Sequence, residues 1–187
     1  NTYAPVEYLD KIYTEALSEP SVVGISIGTR PDCICAEVVE LLSRLQHDFP
    51  DKFIWIELGL QTIHESTALF IRRGYTLDIF EDTVKRLQAN NIPVIVHVIL
   101  GLPGEDKNMM LDTCRYLNNL KISGIKLQLL HVLKNTDLAK YYEQKNFEIL
   151  SFEEYIDIVV SSLEVLSSDI IIHRVTGDGP KKLLIAP

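Results

Sequence analysis

The chain has 187 residues and carries 18 basic against 26 acidic side chains, a formal charge of −8; at about 150 residues per domain, one domain is expected rather than two. With 47% apolar and 24% charged residues and only 9 glycines and 8 prolines, the composition excludes disordered, collagenous and low-complexity classes and allows roughly 70% of the unfolded surface to be buried. The longest apolar run, Ile92 to Leu102, is broken by Pro93 and His97 and falls short of the ~18 residues of a membrane span, while the acidic balance argues against a surface-wide nucleic-acid footprint and leaves room only for a local basic pocket.

In chain order, Leu9, Ile12, Tyr13 and Ala16 predict an amphipathic helix between Pro5 and Pro20, followed by a strand from Val22 to Ile27. Val38, Leu41, Leu42 and Leu45 predict a second helix, and Phe53 to Leu60 a strand rich in β-formers. Phe80, Val84 and Leu87 mark a helix ended by Asn90 and Asn91, then comes a strand from Pro93 to Leu100 and a helix carrying Met110, Leu111, Cys114 and Leu117. Gly124 opens a fourth strand to about His131. Ser151 and Glu154 form a capping box before Ile156, Val159, Val160 and Leu163, and a last strand runs from Ile170 to Val175. Five strands alternating with helices imply parallel pairing, because a parallel neighbour needs a returning crossover.

The polar residues of these strands fall on one side. Along Ile54 to Gln61 the even positions are aliphatic, whereas Trp55, Glu57, Gly59 and Gln61 share the other face. Likewise Val23, Ile25 and Ile27 oppose Gly24, Ser26 and Gly28; Val94, Val96 and Val98 oppose Ile95, His97, Ile99 and Gly101; Ile125, Leu127 and Leu129 oppose Lys126 and Gln128. A doubly wound sheet buried on both faces has aliphatic runs on both; this parity instead predicts an α/β fold of incomplete (β/α) barrel type, helices outside and a polar inner face. An eight-stranded barrel takes about 250 residues and this chain opens on a helix. It therefore reads either as a smaller open α/β unit or, preferably, as one partial barrel domain over residues 1–187 that continues a larger domain.

The loops after the strands are polar or glycine-bearing: Gly28 to Asp32, Gly59 to Thr62, Gly101 to Glu105 and His131 to Thr136. Reactive groups of α/β barrels sit at such carboxyl ends, where glycine lets backbone approach a ligand and Arg30 or Arg73 offers a planar fork for a carboxylate. Three sequences stand out, the last two specific in combination: Ile27-Gly28-Thr29-Arg30-Pro31-Asp32; Glu57-Leu58-Gly59-Leu60-Gln61-Thr62 followed a helix later by Arg72-Arg73-Gly74; and His97-Val98-Ile99-Leu100-Gly101-Leu102-Pro103-Gly104-Glu105. Together they resemble the radical S-adenosylmethionine superfamily, in particular the branch containing oxygen-independent coproporphyrinogen oxidase and the Elongator catalytic subunit, and within it a group of Fe–S oxidoreductases. Gly124 to Leu130, His131 to Thr136 and His173-Arg174-Val175-Thr176-Gly177-Asp178 resemble the same branch.

The resemblance implies a partial barrel of about six parallel strands with S-adenosylmethionine across the strand ends beside a [4Fe–4S] cluster, an external electron donor, and hydrogen abstraction from an unassigned substrate. It implies that Gln61 contacts the ribose and Arg73 the methionine carboxylate, that Ile99 and Gly101 flank the adenine, and that Leu130 and His131 lie near it. Glu57 and Arg30 complete the candidate cofactor-binding set, and no residue is assigned a catalytic role. Gly28 stands where several relatives carry an acid. The family's cluster takes three close cysteines in one loop, and thiolates are what such clusters require. Cys33-Ile34-Cys35 is only a close pair and Cys114 sits on a helical apolar stripe, so cluster ligands are expected upstream of Asn1 and the chain by itself is expected to be inactive. An odd set of three cysteines and no basic-then-apolar leader favour a reducing cytoplasm. Nucleic acid is a possible substrate that no residue pattern indicates. The rival readings are a cluster-independent α/β-barrel lyase or aldolase using Glu57 and Lys126 as acid and base, and a degenerate barrel that only binds. His97, His173 and Arg174 are left without an assigned role; the turn Thr176-Gly177-Asp178-Gly179 that follows His173 and Arg174 either binds an anion or merely ends the strand; and Glu105 and Asp106 are read as negative charge at a helix start.

Overall fold

A computed structural model describes residues 1–187. Its helices are α1 (Val6–Ser18), α2 (Ala36–Asp48), α3 (Glu65–Phe70), α4 (Leu77–Ala89), α5 (Lys107–Asn119), α6 (Asp137–Glu143) and α7 (Phe152–Val165). The strands are β1 (Gly24–Thr29), β2 (Phe53–Gln61), β3 (Val94–Leu100), β4 (Gly124–Leu129), β5 (Val132–Leu133), β6 (Ile171–Arg174) and β7 (Leu184–Ala186). No helix is long and apolar enough to cross a membrane.

Five strands form one sheet in the order β1-β2-β3-β4-β6, and β5 pairs antiparallel with β7 in a separate two-stranded sheet. β1 runs parallel to β2, with Gly24 opposite Phe53 and Thr29 opposite Leu58. Hydrogen bonds from Ser123 to Val94 and from Leu130 to Leu100 advance in the same direction, so β3 and β4 are parallel too. The pairing of β5 with β7 is not legible in the sequence: each has two or three residues, too few for a period to emerge.

The predicted parity holds in β2, where Ile54, Ile56, Leu58 and Leu60 are at most 2% exposed while Trp55, Glu57, Gly59 and Gln61 are half-buried. Elsewhere it needs correction: Ile95 on β3 is buried with the aliphatic set, leaving His97 and Ile99 half-buried, Val23 just before β1 is exposed, and Leu129 at the end of β4 is only half-buried. The aliphatic face is covered by helices whose stripes are those of the sequence: Val38, Leu41, Leu42 and Leu45 on α2, Phe80, Val84 and Leu87 on α4, and Met110, Leu111, Cys114 and Leu117 on α5 are all buried.

By contacts the chain resolves into two compact units, Asn1–Leu60 with Tyr75–Val96 and Ile122–Gly124, and Gln61–Gly74 with His97–Lys121 and Ile125–Pro187. In the first, α1 packs on α2 and β1, and Thr2, Thr29 and the Cys33 carbonyl are tied by hydroxyl bonds of 2.7 Å. In the second, α5 packs on α7.

The α7 face requires a correction. The capping box of Ser151 and Glu154 forms as predicted, but the residues turned inward are Tyr155, Ile158 and Ser162, whereas Ile156, Val160 and Leu163 are 46%, 50% and 40% exposed. α7 is apolar on more than one side, so periodicity does not select its buried stripe. The small Ser162, whose hydroxyl donates back to the Ile158 carbonyl at 2.7 Å, meets Cys114 of α5, and close approach decides the face. Truncating Ile158 to alanine is therefore expected to cost about 2–4 kcal/mol, and Ile156→Ala no more than about 0.5 kcal/mol; urea denaturation of both variants checks this, and the reverse ranking would return the aliphatic stripe to the interior.

Candidate functional site

The second unit holds most of the candidate residues. β2 ends at Gln61, half-buried and with φ of 67°. A glutamine in the left-handed region is uncommon and persists only where its surroundings impose it. The imposing element is the next residue: Thr62 is fully buried, and its hydroxyl donates to Glu105 Oε1 at 2.5 Å and accepts from the His64 amide at 3.0 Å. The Thr62 carbonyl accepts from Arg73 Nη1 at 2.7 Å.

Arg73 follows α3 through a turn in which Arg72 and Gly74 take φ of 56° and 85°. Its side chain is 1% exposed, and Nη2 reaches Glu65 at 3.2 Å. A buried guanidinium is tolerated only when its donors are spent on acceptors. The backbone carbonyl of Thr62 and the carboxylate of Glu65 supply them, so Arg73 braces the loop that presents Gln61.

Glu105 comes from the loop after β3, where Gly101 and Gly104 both have φ of +86°. A Cβ on Gly101 would stand 3.0 Å from Leu150 Cδ1, so conformation and packing both require glycine there. Asp106, not Glu105, caps α5, accepting from the Met109 amide at 2.9 Å. The reading of Glu105 as charge at a helix start is thereby corrected: it turns inward to Thr62. Burial pushes its carboxyl up from the ordinary glutamate value, against hydrogen bonds from Thr62 and Thr67 that lower it. The sequence reading quotes Glu105 and Thr62 within their motifs but gives neither this role. A hydroxyl next to a strand end carries no signal until the loop that meets it is in place.

Nearby on the same unit, Ile99 is half-buried, Leu130 is 8% exposed with its amide bonded to the Leu100 carbonyl, and His131 is half-buried. An amide, two aliphatic side chains and an imidazole are groups of the kind that suit hydroxyls and a flat base.

Arg30 and Glu57 belong to the first unit. Arg30 spends its fork on Asp32, at 2.9 and 2.6 Å, and lies 5.6 Å over the Tyr75 ring. That ring's hydroxyl donates to the Gly59 carbonyl. Glu57 accepts from Ser26 Oγ at 2.5 Å, and Ser26 in turn accepts from Trp55 Nε1 at 2.6 Å. A cavity of about 540 Å³ lined by Asn1, Tyr3, Thr29, Arg30, Asp32 and Cys33 adjoins β1.

The cysteines do not fit an iron–sulfur cluster. Cys33 is half-buried, Cys35 exposed and Cys114 buried, burial raising the thiol of Cys114, and no three His, Cys, Asp or Glu side chains gather as a metal site.

Residues 1–117 match the family model of the Radical SAM superfamily, and residues 122–187 that of the Radical_SAM C-terminal domain. Among curated proteins, the chain is 44% identical over its whole length to the protein YtqA of Bacillus subtilis, covering 57% of it. It is 25% identical to a tRNA uridine(34) acetyltransferase of Methanocaldococcus jannaschii, over 90% of this chain and 30% of that one. The chain thus spans a little over half the length of YtqA. Among solved structures, an archaeal Elp3 of Methanocaldococcus infernus superposes with a TM-score of 0.82 at 17% identity, over 98% of this chain and 47% of that chain. This likeness shows the fold and bears out the α/β class expected from the sequence.

The raised carboxyl of Glu105 sets a pH dependence. Its folded pKa lies above its unfolded one, so its contribution is fully present below the unfolded pKa and is lost as pH rises through the folded pKa. The stability of the native chain relative to Glu105→Gln should therefore fall from pH 4 to pH 8 in urea titrations at fixed ionic strength. A difference that stays flat or grows with pH would place Glu105 in water.

Proposed function

Because the chain belongs to the radical SAM superfamily, we propose that it is the cofactor-binding core of an enzyme that cleaves S-adenosylmethionine reductively. The observation that carries this reading is the braced end of β2: a half-buried Gln61 held in the left-handed region by the Thr62, Arg73 and Glu105 network. It stands at the carboxyl end of β2; Ile99 and Gly101 stand at the carboxyl end of β3, and Leu130 and His131 at that of β4. In this reading Gln61 holds the ribose hydroxyls, Ile99, Gly101 and Leu130 cover the adenine beside His131, and Arg73, bonded to Thr62 and Glu65, holds the loop that presents Gln61 rather than meeting the methionine carboxylate itself.

When bound, S-adenosylmethionine would supply, with one electron from an external donor through the cluster, cleavage of its C5′–S bond to methionine and abstraction of a hydrogen atom from the substrate, leaving 5′-deoxyadenosine. The protein's part is to place the carbon against the substrate and exclude water. The [4Fe–4S] cluster the family uses would be held by cysteines outside residues 1–187, since those present do not gather. A relative named as a tRNA uridine(34) acetyltransferase supports trying tRNA first as substrate.

The test is anaerobic: full-length protein with a reconstituted cluster, dithionite and S-adenosylmethionine, with 5′-deoxyadenosine and methionine measured by mass spectrometry in the presence and absence of bulk tRNA. Equal amounts of the two products are expected, and Gln61→Ala should raise KM for S-adenosylmethionine about tenfold, one lost hydrogen-bonded contact of ~1.4 kcal/mol. Cluster-loaded protein that makes no 5′-deoxyadenosine overturns the reading in favour of a lyase using Glu57 and Lys126 or a binding module.

A further inference from the structure

The segment after β6 is tied down at both ends and lies across polar side chains of β4. At its start, Tyr155 of α7 donates its hydroxyl to the Val175 carbonyl at 2.6 Å. At its far end, the Leu183 and Leu184 amides bond to the Pro180 carbonyl, Lys134 bonds to Leu183, and β7 pairs with β5. Between these anchors two glycines make close approaches. A Cβ on Gly177 would lie 3.7 Å from the Gln128 side chain and 3.9 Å from the Arg174 guanidinium carbon, and one on Gly179 would lie 2.9 Å from His131 Nδ1. Gln128 Nε2 in turn lies 3.4 Å from His97 Nδ1.

One row therefore runs from His97 through Gln128 to Gly177 and Arg174, with Gly179 against His131. Arg174 is exposed and enters no ion pair. Its charge lowers the Tyr155 phenol against the larger upward effect of burial. Asp178, four residues on and also exposed, does not reach it. In a chain of net charge −8, where Arg30, Arg44, Arg72, Arg73, Arg86 and Arg115 each have an acidic partner, an arginine left uncompensated beside an amide and an imidazole is set up for an external anion.

We propose that Arg174, with Gln128 and His97 beside it, binds a single anionic group of the substrate, a carboxylate or a phosphate, under the strap Val175–Gly179. The planar guanidinium takes the two oxygens, the Gln128 amide supplies a further donor, and Gly177 keeps the space above them free of a side chain. Naming the anion as the substrate's rests on the radical-enzyme reading; the existence of the anion site does not.

The experiment separates the two. Full-length protein with labelled arginine and glutamine side chains is titrated with inorganic phosphate and with acetate at constant ionic strength in chloride, without S-adenosylmethionine. Saturable shifts of Arg174 Nε–Hε and the Gln128 amide are expected with at least one of the two anions. Phosphate alone marks a phosphate group, acetate alone a carboxylate, and both mark either. Arg174→Gln should weaken the response more than about tenfold and Arg174→Lys should restore part of it. Gly177→Ala, whose methyl fits at ordinary contact distance, should fold normally and weaken binding several-fold. Failure of Arg174 and Gln128 to shift with either anion, or equal shifts in Arg174→Gln, overturns the site. In the cluster-loaded enzyme Arg174→Gln should leave substrate-free formation of 5′-deoxyadenosine and its KM for S-adenosylmethionine unchanged within twofold. A raised KM there would assign the arginine to the cofactor's carboxylate instead and overturn the substrate assignment.

Discussion

A parallel strand offers two faces, and only one of them can be sealed under the crossover helix that connects it to its neighbour. In β2 this seal is complete on one side, with Ile54, Ile56, Leu58 and Leu60 at most 2% exposed. Every other feature follows from the side left over. Trp55, Glu57 and Gln61 cannot turn into the aliphatic layer without burying polar groups unpaired, at a cost of about 1–3 kcal/mol each. They stand instead half-buried on the opposite face of β2.

Polar residues on such a face need partners, and the partners determine rigidity. In the first unit Ser26 serves both Trp55 and Glu57, and Arg30 is taken by Asp32. In the second, Thr62 joins Glu105 to Arg73 through its hydroxyl and its carbonyl. These networks are satisfied, since no buried side-chain nitrogen or oxygen lacks a hydrogen-bond partner. A satisfied network holds a strained residue such as Gln61 in place, and that makes the end of β2 suited to a ligand contact rather than to a mobile loop.

Where the networks stop is equally informative. Arg174 sits at the carboxyl end of β6 with its strap fixed by Tyr155 on one side and by the β5–β7 pair on the other, yet its charge has no acidic partner. The contrast between a spent guanidinium at Arg73 and an unspent one at Arg174 divides the polar groups of the second unit into those that build the site and those that wait for something to enter it.

Much of this was legible in the order of residues. Strand and helix periods depend only on neighbours two to four positions apart, so the five alternating strands, the stripes on α2, α4 and α5, the capping box of α7 and the one-sided polarity of β2 all follow from local spacing, and the motif residues at the strand ends identify the superfamily. Tertiary packing decided what local spacing leaves degenerate. It chose Tyr155, Ile158 and Ser162 over Ile156, Val160 and Leu163, because α7 is apolar on several sides and only the small Ser162 lets it close on Cys114 of α5. It turned Glu105 inward, buried Arg73, and drew β7 back to β5, because each outcome depends on a partner beyond the two-to-four-residue reach of a strand or helix period.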